Sequence, residues 1–160
     1  MSIDQHKEIR ADHINAFVVP TLDILKRMGK IDATIKEIRR GESEEGTPCT
    51  ISVKIEFMGD LKGTFIIRFE KFTACAIGAT MMGSETIEDL DDQGKDALAE
   101  LSNVIVGNAT GKLANLGIRI MISPPSVSQG TGGPLTGHPF VVPLDSTHGG
   151  MEVVLFFEGK

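Results

Sequence analysis

The sequence predicts an α+β fold of two layers, a mostly antiparallel β-sheet with long helices packed on it. Two observations carry that expectation. Alternating apolar runs are joined by short turns into hairpins, which makes neighbouring strands antiparallel. Other segments repeat apolar residues every three or four positions, as a helix with one buried face does. Hairpins covered by helices give a two-layer domain, and 160 residues are enough for one such domain with a proper core.

The elements follow in chain order. In "DHINAFVVPTLDILKRM", apolar residues at Ile14, Phe17, Val18, Leu22, Leu25 and Met28 predict an amphipathic helix over Asp12 to Met28, with Asp12 as its N-cap. Pro20 lies inside it and predicts a kink or a restart. Ala33 to Arg40 reads as one strand, followed by the solvated loop "GESEEGTP", Gly41 to Pro48. Ile51, Val53, Ile55 and Phe57 alternate with Ser52, Lys54 and Glu56, a half-buried strand. "MGDLKG" turns the chain and "GTFIIRF" returns it, completing a hairpin. Lys71 to Met82 is expected to be a second helix, ended by Gly83.

After the acidic link "SETIEDLDD" comes a third helix, capped by Asp91 or Asp92. Ile118 to Val127 is strand-like up to the Pro/Gly loop "SPPSVSQGTGGPLTGHP". Phe140 to Leu144 and Met151 to Phe157 are strands around the turn "DSTHGG". The order is helix, three strands, helix, then helix and three strands. It describes two pseudo-duplicated helix-plus-three-strand halves, about 12–83 and 91–158, inside a single domain of residues 1–160.

The bulk composition excludes several functions. A net charge of -6 argues against nucleic-acid binding, which needs a cationic surface. No apolar run approaches the ~18 residues that would span a bilayer, so no membrane insertion is expected. The first residues, "MSIDQHKEIRADH", are polar and mixed in charge, unlike a signal peptide, and the expected location is the cytoplasm. Cys49 and Cys75 read as buried small hydrophobes, and the seven methionines as core fillers. His6, His13, His138 and His148 share no ligand spacing, so no metal site of the chain's own is expected. His138 and His148, flanking the last hairpin, are expected at the surface.

The informative stretch is "ALAELSNVIVGNATGKLANLG", Ala97 to Gly117. At ~100° per residue, Leu98, Leu101, Ile105, Ala109, Leu113 and Leu116 form one apolar stripe. Gln93, Asp96, Glu100, Asn103, Gly107, Thr110, Gly111 and Ala114 fall on the opposite side. Glu100 and Asn103, three apart, are neighbours on that face. Gly107 and Gly111 leave the face nearly bare, at roughly 0.5–1 kcal/mol of helix stability each. Periodicity alone leaves two readings open: the bare face admits another part of the same fold, or it admits a partner. A lone carboxylate is a thin basis for a self-contained hydrolase. Asparagine has no useful pKa, yet its amide can orient a water, as a glutamine does in GTPases. The pair makes sense if the reactive group and its metal arrive on another molecule.

"ELSNVIVGNATGKLANLG" followed by "ISPPSV" resembles the CheC/CheX/FliY family of response-regulator phosphatases, its CheX branch most closely. The shared features are Glu100-x-x-Asn103, then Gly107, Asn108 and Ala109, with the "MGDLKGTFIIRF" hairpin and a matching length from about His13 to Phe157. The resemblance implies a phosphatase acting on the phospho-aspartate of a CheY-type regulator that carries its own Mg²⁺, with no cofactor bound to this chain. It implies that Asn103 places the attacking water and that Glu100 pairs with the regulator's lysine. Asp96, Gly107, Thr110 and Gly111 then form the docking face, and a homodimer joined through edge strands is implied as well. CheC-like members carry a second Glu-x-x-Asn in the first helix. Here Asn15 has no glutamate three residues before it, so one active site per chain is expected.

Two rival readings remain. The same face could dock a receiver without catalysis, since a fold does not fix a function. The loop from Gln129 to Pro139 could cradle phosphate, but it leads from strand to strand and lacks the lysine of a P-loop, so it reads as a connection.

Overall fold

Hairpins form where the sequence alternates, and they assemble into one sheet because each has an apolar face to bury. The computed structural model describes residues 11–41, 49–84, 88–130 and 138–158. Their order is α1 (Ala11–Met28), β1 (Ala33–Ile35), β2 (Arg39–Arg40), β3 (Ile51–Gly59), β4 (Gly63–Phe69), α2 (Lys71–Met82), α3 (Asp92–Asn115), β5 (Ile120–Ile122), β6 (Ser126–Gln129), β7 (Phe140–Ser146) and β8 (Gly149–Phe157). The strands form one antiparallel sheet ordered β1-β7-β8-β4-β3-β5, with β2 also on β7 and β6 also on β3. The fold is the two-layer α+β arrangement expected from the hairpins.

The two halves are interleaved. The short strands of the first half pair with β7 of the second, and those of the second pair with β3 of the first. A shift of 88 residues superimposes these pairings: Ala33↔Ser146 becomes Met58↔Met121 (33 to 121, 146 to 58), and Arg40↔Phe140 becomes Ser52↔Ser128 (40 to 128, 140 to 52). The central β4–β8 ladder maps onto itself, Gly63↔Phe157 onto Phe69↔Met151. It is the axis of the pseudo-symmetry.

Where single strands were expected over 33–40 and 118–127, each is broken in two. From Ile35 to Arg39 the chain advances four residues while β7 advances three, Leu144 to Val141. From Ile122 to Ser126 against β3 the count is the same, Phe57 to Lys54. Each break is thus a one-residue bulge, which bends an edge strand. In the second half Pro124 and Pro125, which have no N–H to donate, fill the break. In the first half Pro143 stands on the partner strand, and its carbonyl accepts from the Lys36 N–H.

The core lies between the sheet and the helices. Val53, Ile55, Phe65, Ile67, Val153 and Leu155 face Phe17 and Leu25 of α1 and Leu98, Leu101 and Ile105 of α3. Phe17 stacks 5.2 Å from Phe57 and 5.9 Å from Phe65, pinning α1 to the first hairpin. α1 runs unbroken through the buried Pro20, so neither a restart nor a new cap occurs there. Asp12 lies within the first turn of α1. α2 ends as expected at Gly83, whose φ of 72° is a left-handed cap. Gly63 opens β4 where a Cβ would sit 1.9 Å from the Phe156 carbonyl oxygen.

Cys49 and Cys75 are buried and unbridged. Burial pushes the Cys75 thiol above its ordinary pKa, with the Lys71 ammonium opposing that in part. The methionines are less uniform than expected. Met151 is buried, but Met58 and Met121 face each other across the β3–β5 edge, 56% and 74% exposed. A thioether is flexible and weakly hydrated, so it tolerates such an edge. His6 and the expected loop and link residues 42–48, 85–87 and 131–137 lie outside the described residues.

The sheet face opposite the helices carries a buried ion pair. Arg68 and Glu152 are directly paired across the central ladder, 1% and 6% exposed, with Nη1 donating to Oε1 at 2.9 Å. Glu152 also lies 4.0 Å from Arg39, and taking one member out of a buried charge cluster costs about 3–5 kcal/mol. Glu152→Ala is therefore expected to lose stability on that scale in urea denaturation. Arg68→Met with Glu152→Leu should recover most of it; a double variant as weak as the single one would mean that packing, not charge, holds the pair.

Candidate functional site

α3 begins at Asp91, whose carboxylate accepts from the Gly94 N–H at 2.8 Å, which decides between the two candidate caps. Leu98, Leu101, Ile105, Ala109 and Leu113 are wholly buried against the sheet and α1. The buried stripe is wider than periodicity indicated, since Val106 and Ser102 are buried too. Ser102 is admitted because its hydroxyl donates to the Leu98 carbonyl at 2.8 Å. Leu116, expected in the stripe, is 48% exposed: it is the C-cap, where the chain has left helical phase.

With that stripe buried, 3.6 residues per turn carry Asp96, Glu100, Asn103, Gly107 and Gly111 to the surface, and all five are exposed. Among the described residues neither Glu100 nor Asn103 has a hydrogen-bond or ion-pair partner. A Cβ at Gly107 or Gly111 would meet nothing within 4 Å. Among the described residues no other part of the fold occupies the space that the glycines clear above the helix. Thr110 contributes less, being half-buried with its hydroxyl donating to the Val106 carbonyl at 2.9 Å.

The open space is a groove of about 610 Å³ lined by Val104, Gly107, Asn108, Gly111, Lys112 and Asn115. Asn108 donates its Nδ2 to the Val104 carbonyl at 2.8 Å, which fixes the amide and leaves its Oδ1 as an acceptor. Asn108 belongs to the Gly-Asn-Ala stretch of the sequence pattern, whereas Val104, Lys112 and Asn115 carry no signal there. A helical wheel places them some 40–120° round from Glu100, so the flank of the bare face was the available signal. Among the described residues no three His, Cys, Asp or Glu side chains gather to hold an ion.

The pseudo-symmetry gives an internal comparison. Shifted by 88 residues, Glu100, Asn103, Gly107 and Gly111 correspond to Asp12, Asn15, Val19 and Asp23 of α1 (100 to 12, 103 to 15, 107 to 19, 111 to 23). The polar pair has an exposed counterpart, but side chains stand where α3 has bare backbone. Only α3 keeps the approach clear.

The sequence profile of the chemotaxis phosphatase CheX matches residues 51–145. The chain belongs to the CheX family. It is 30% identical over 112 residues, 64% of this chain and 72% of its relative, to the CheY-P phosphatase CheX of Thermotoga maritima. A CheC-like superfamily protein from Shewanella sp. PV-4 has the same fold, with a TM-score of 0.84, 26% identity, and 94% of this chain and all of that one covered. The CheX of Borrelia burgdorferi, solved as a CheX-CheY-BeF3-Mg²⁺ complex, shares the fold at a TM-score of 0.72 and 23% identity, over 92% of this chain and 99% of that one. The CheX profile begins at β3 and ends within β7, so it contains the whole of α3.

Open space above the glycines has a measurable consequence. Alanine is the better helix former by about 0.5–1 kcal/mol, and nothing in the fold obstructs its methyl. Gly107→Ala and Gly111→Ala should each raise the urea midpoint accordingly. A lowered midpoint would show that these positions are packed against something.

Proposed function

We propose that this chain hydrolyses the phospho-aspartate of a CheY-type response regulator, with one site per chain built on the exposed face of α3. The observation that carries the reading is the conjunction of unpartnered Glu100 and Asn103 with open space above Gly107 and Gly111. The CheX relative from Thermotoga maritima supports the activity, since it is a CheY-P phosphatase. We take residues 1–160 as a single phosphatase domain working in the cytoplasm, and a homodimer through the bent edge strands is part of the same reading.

The receiver's phosphorylated aspartate approaches over Asn103, with Asp96, Thr110 and the two glycines framing the contact. The Asn103 amide holds a water in line with phosphorus, the gain being one of orientation rather than proton transfer. The water oxygen forms the new P–O bond as the bond to the aspartyl oxygen breaks. Free aspartate and inorganic phosphate result. Glu100 pairs with the receiver's lysine and sets the register of the complex. The Mg²⁺ belongs to the receiver, where it neutralises charge on the phosphoryl oxygens.

Phosphate release from a phosphorylated CheY-type receiver with Mg²⁺ is the direct assay. Asn103→Ala should fall about 100-fold, toward the receiver's spontaneous rate, because a misplaced nucleophile costs on that order. Glu100→Ala should mainly raise the receiver concentration needed for half-maximal rate. Gly107→Leu should fold normally and block the approach. Tight binding with no acceleration by the wild-type chain would instead identify a non-catalytic receiver-binding module.

A further inference from the structure

The groove beside the glycines does not end on α3. A second cavity, about 270 Å³, lies between the start of α1 and the end of α3, lined by Asp12, Asn15 and Val19 on α1 and by Lys112, Asn115 and Leu116 on α3. Lys112 and Asn115 belong to both cavities, so the two form one trough running from the bare face across to α1. Its far end holds two exposed aliphatic side chains, Val19 and Leu116, each 48% exposed and neither part of the core cluster. Among the described residues Lys112, at the junction, forms no ion pair.

We propose that the phosphorylated receiver extends its contact off α3 into this trough, placing an acidic side chain on Lys112 and an aliphatic one between Val19 and Leu116. The inference rests on the phosphatase reading and adds what selects the receiver. Area is the first argument. A standard interface needs roughly 800 Å² per partner, whereas two polar side chains over bare helix backbone supply little apolar contact. Reach is the second. At about 1.5 Å per residue, Lys112 lies about 14 Å along the axis from Asn103. That is inside the footprint of a small domain about 30 Å across.

Charge is the third argument. The face of α3 is acidic at one end, with Asp96 and Glu100, and Lys112 stands toward the other, across the cavity from Asp12 of α1. A receiver with a base over Glu100 and an acid over Lys112 docks one way round, because the reversed pose sets like charges together. The apolar pair then gives a contact that water disfavours leaving open. Lys112 and the apolar pair set affinity and orientation, while Asn103 acts on the reaction itself.

The test separates binding from chemistry. Affinity for a beryllofluoride-activated CheY-type receiver is measured by titration, and phosphate release from the phosphorylated form is followed in parallel. Lys112→Glu, and Val19→Ser combined with Leu116→Ser, should each weaken binding about tenfold and raise the half-saturating receiver concentration equally, with the maximal rate kept. Lys30→Glu, an exposed charge reversal between α1 and β1, should titrate like wild type. Trough variants that bind like wild type, or that lose maximal rate with unchanged affinity, overturn the proposal. A wild-type chain that binds but releases no phosphate sinks the phosphatase reading and leaves the footprint to be judged on binding alone. If the wild type does not bind, both fail.

Discussion

Everything in this fold depends on the antiparallel ladder between β4 and β8. It is where the two halves meet, and each half needs it because its own short strands have gone to the other half's hairpin. Phe65, Ile67, Val153 and Leu155 turn one face of the ladder toward the helices, while Arg68 and Glu152 close the other with a buried ion pair. Interleaving makes the halves mutually dependent. Neither can complete a sheet alone, since its bulged strands would have no partner and its hairpin would expose an apolar edge.

That arrangement fixes α3. Its buried stripe runs for four turns against the sheet and α1, so its rotation about its own axis is set by packing and leaves no choice over which residues face water. Glu100 and Asn103 are outward because Leu98, Leu101 and Ile105 are inward. Two glycines on the outer face cost the helix roughly 0.5–1 kcal/mol each, a loss that nothing inside the fold explains, since no neighbour needs the room. The counterpart helix shows that the fold itself tolerates side chains at those positions, with Val19 and Asp23 in place of the glycines.

Much of this was legible in the sequence, and the failures have physical causes. Periodicity located the three helices, the two hairpins and the outward face of α3, because burial on one side imposes a pattern that reads locally. It could not supply the strand order. That order comes from pairing between residues far apart in the chain, Val53 with Val127 or Ala33 with Ser146, which leaves no local mark. The bulges were missed for the same reason, since an extra residue is defined only against a partner strand. Of the kink or restart that Pro20 implies, the restart does not occur: α1 continues through it, with Phe17 and Leu25 buried on either side. Leu116 was assigned to the core by extrapolating a helical phase one residue past the point where the helix ends. Met58 and Met121 were taken as core because hydrophobicity scales do not distinguish an edge from an interior.

The site is open where an enzyme's is usually enclosed, and the division of labour explains why. A self-contained hydrolase needs a cleft to exclude water, shift pKa values and gather opposing groups. Here the charged phosphoryl group and its metal come with the partner under the proposed mechanism, so this chain needs to supply only a positioned amide and a carboxylate for register. Neither has to titrate, and neither has to be buried before the complex forms. Enclosure then arises only on docking, when the partner itself covers Asn103 and leaves room for a single water. The labour on this surface then divides by step: under the proposed reading, contacts along α3 govern how often the docked complex forms, and the amide of Asn103 governs what happens to the phosphorus once it has.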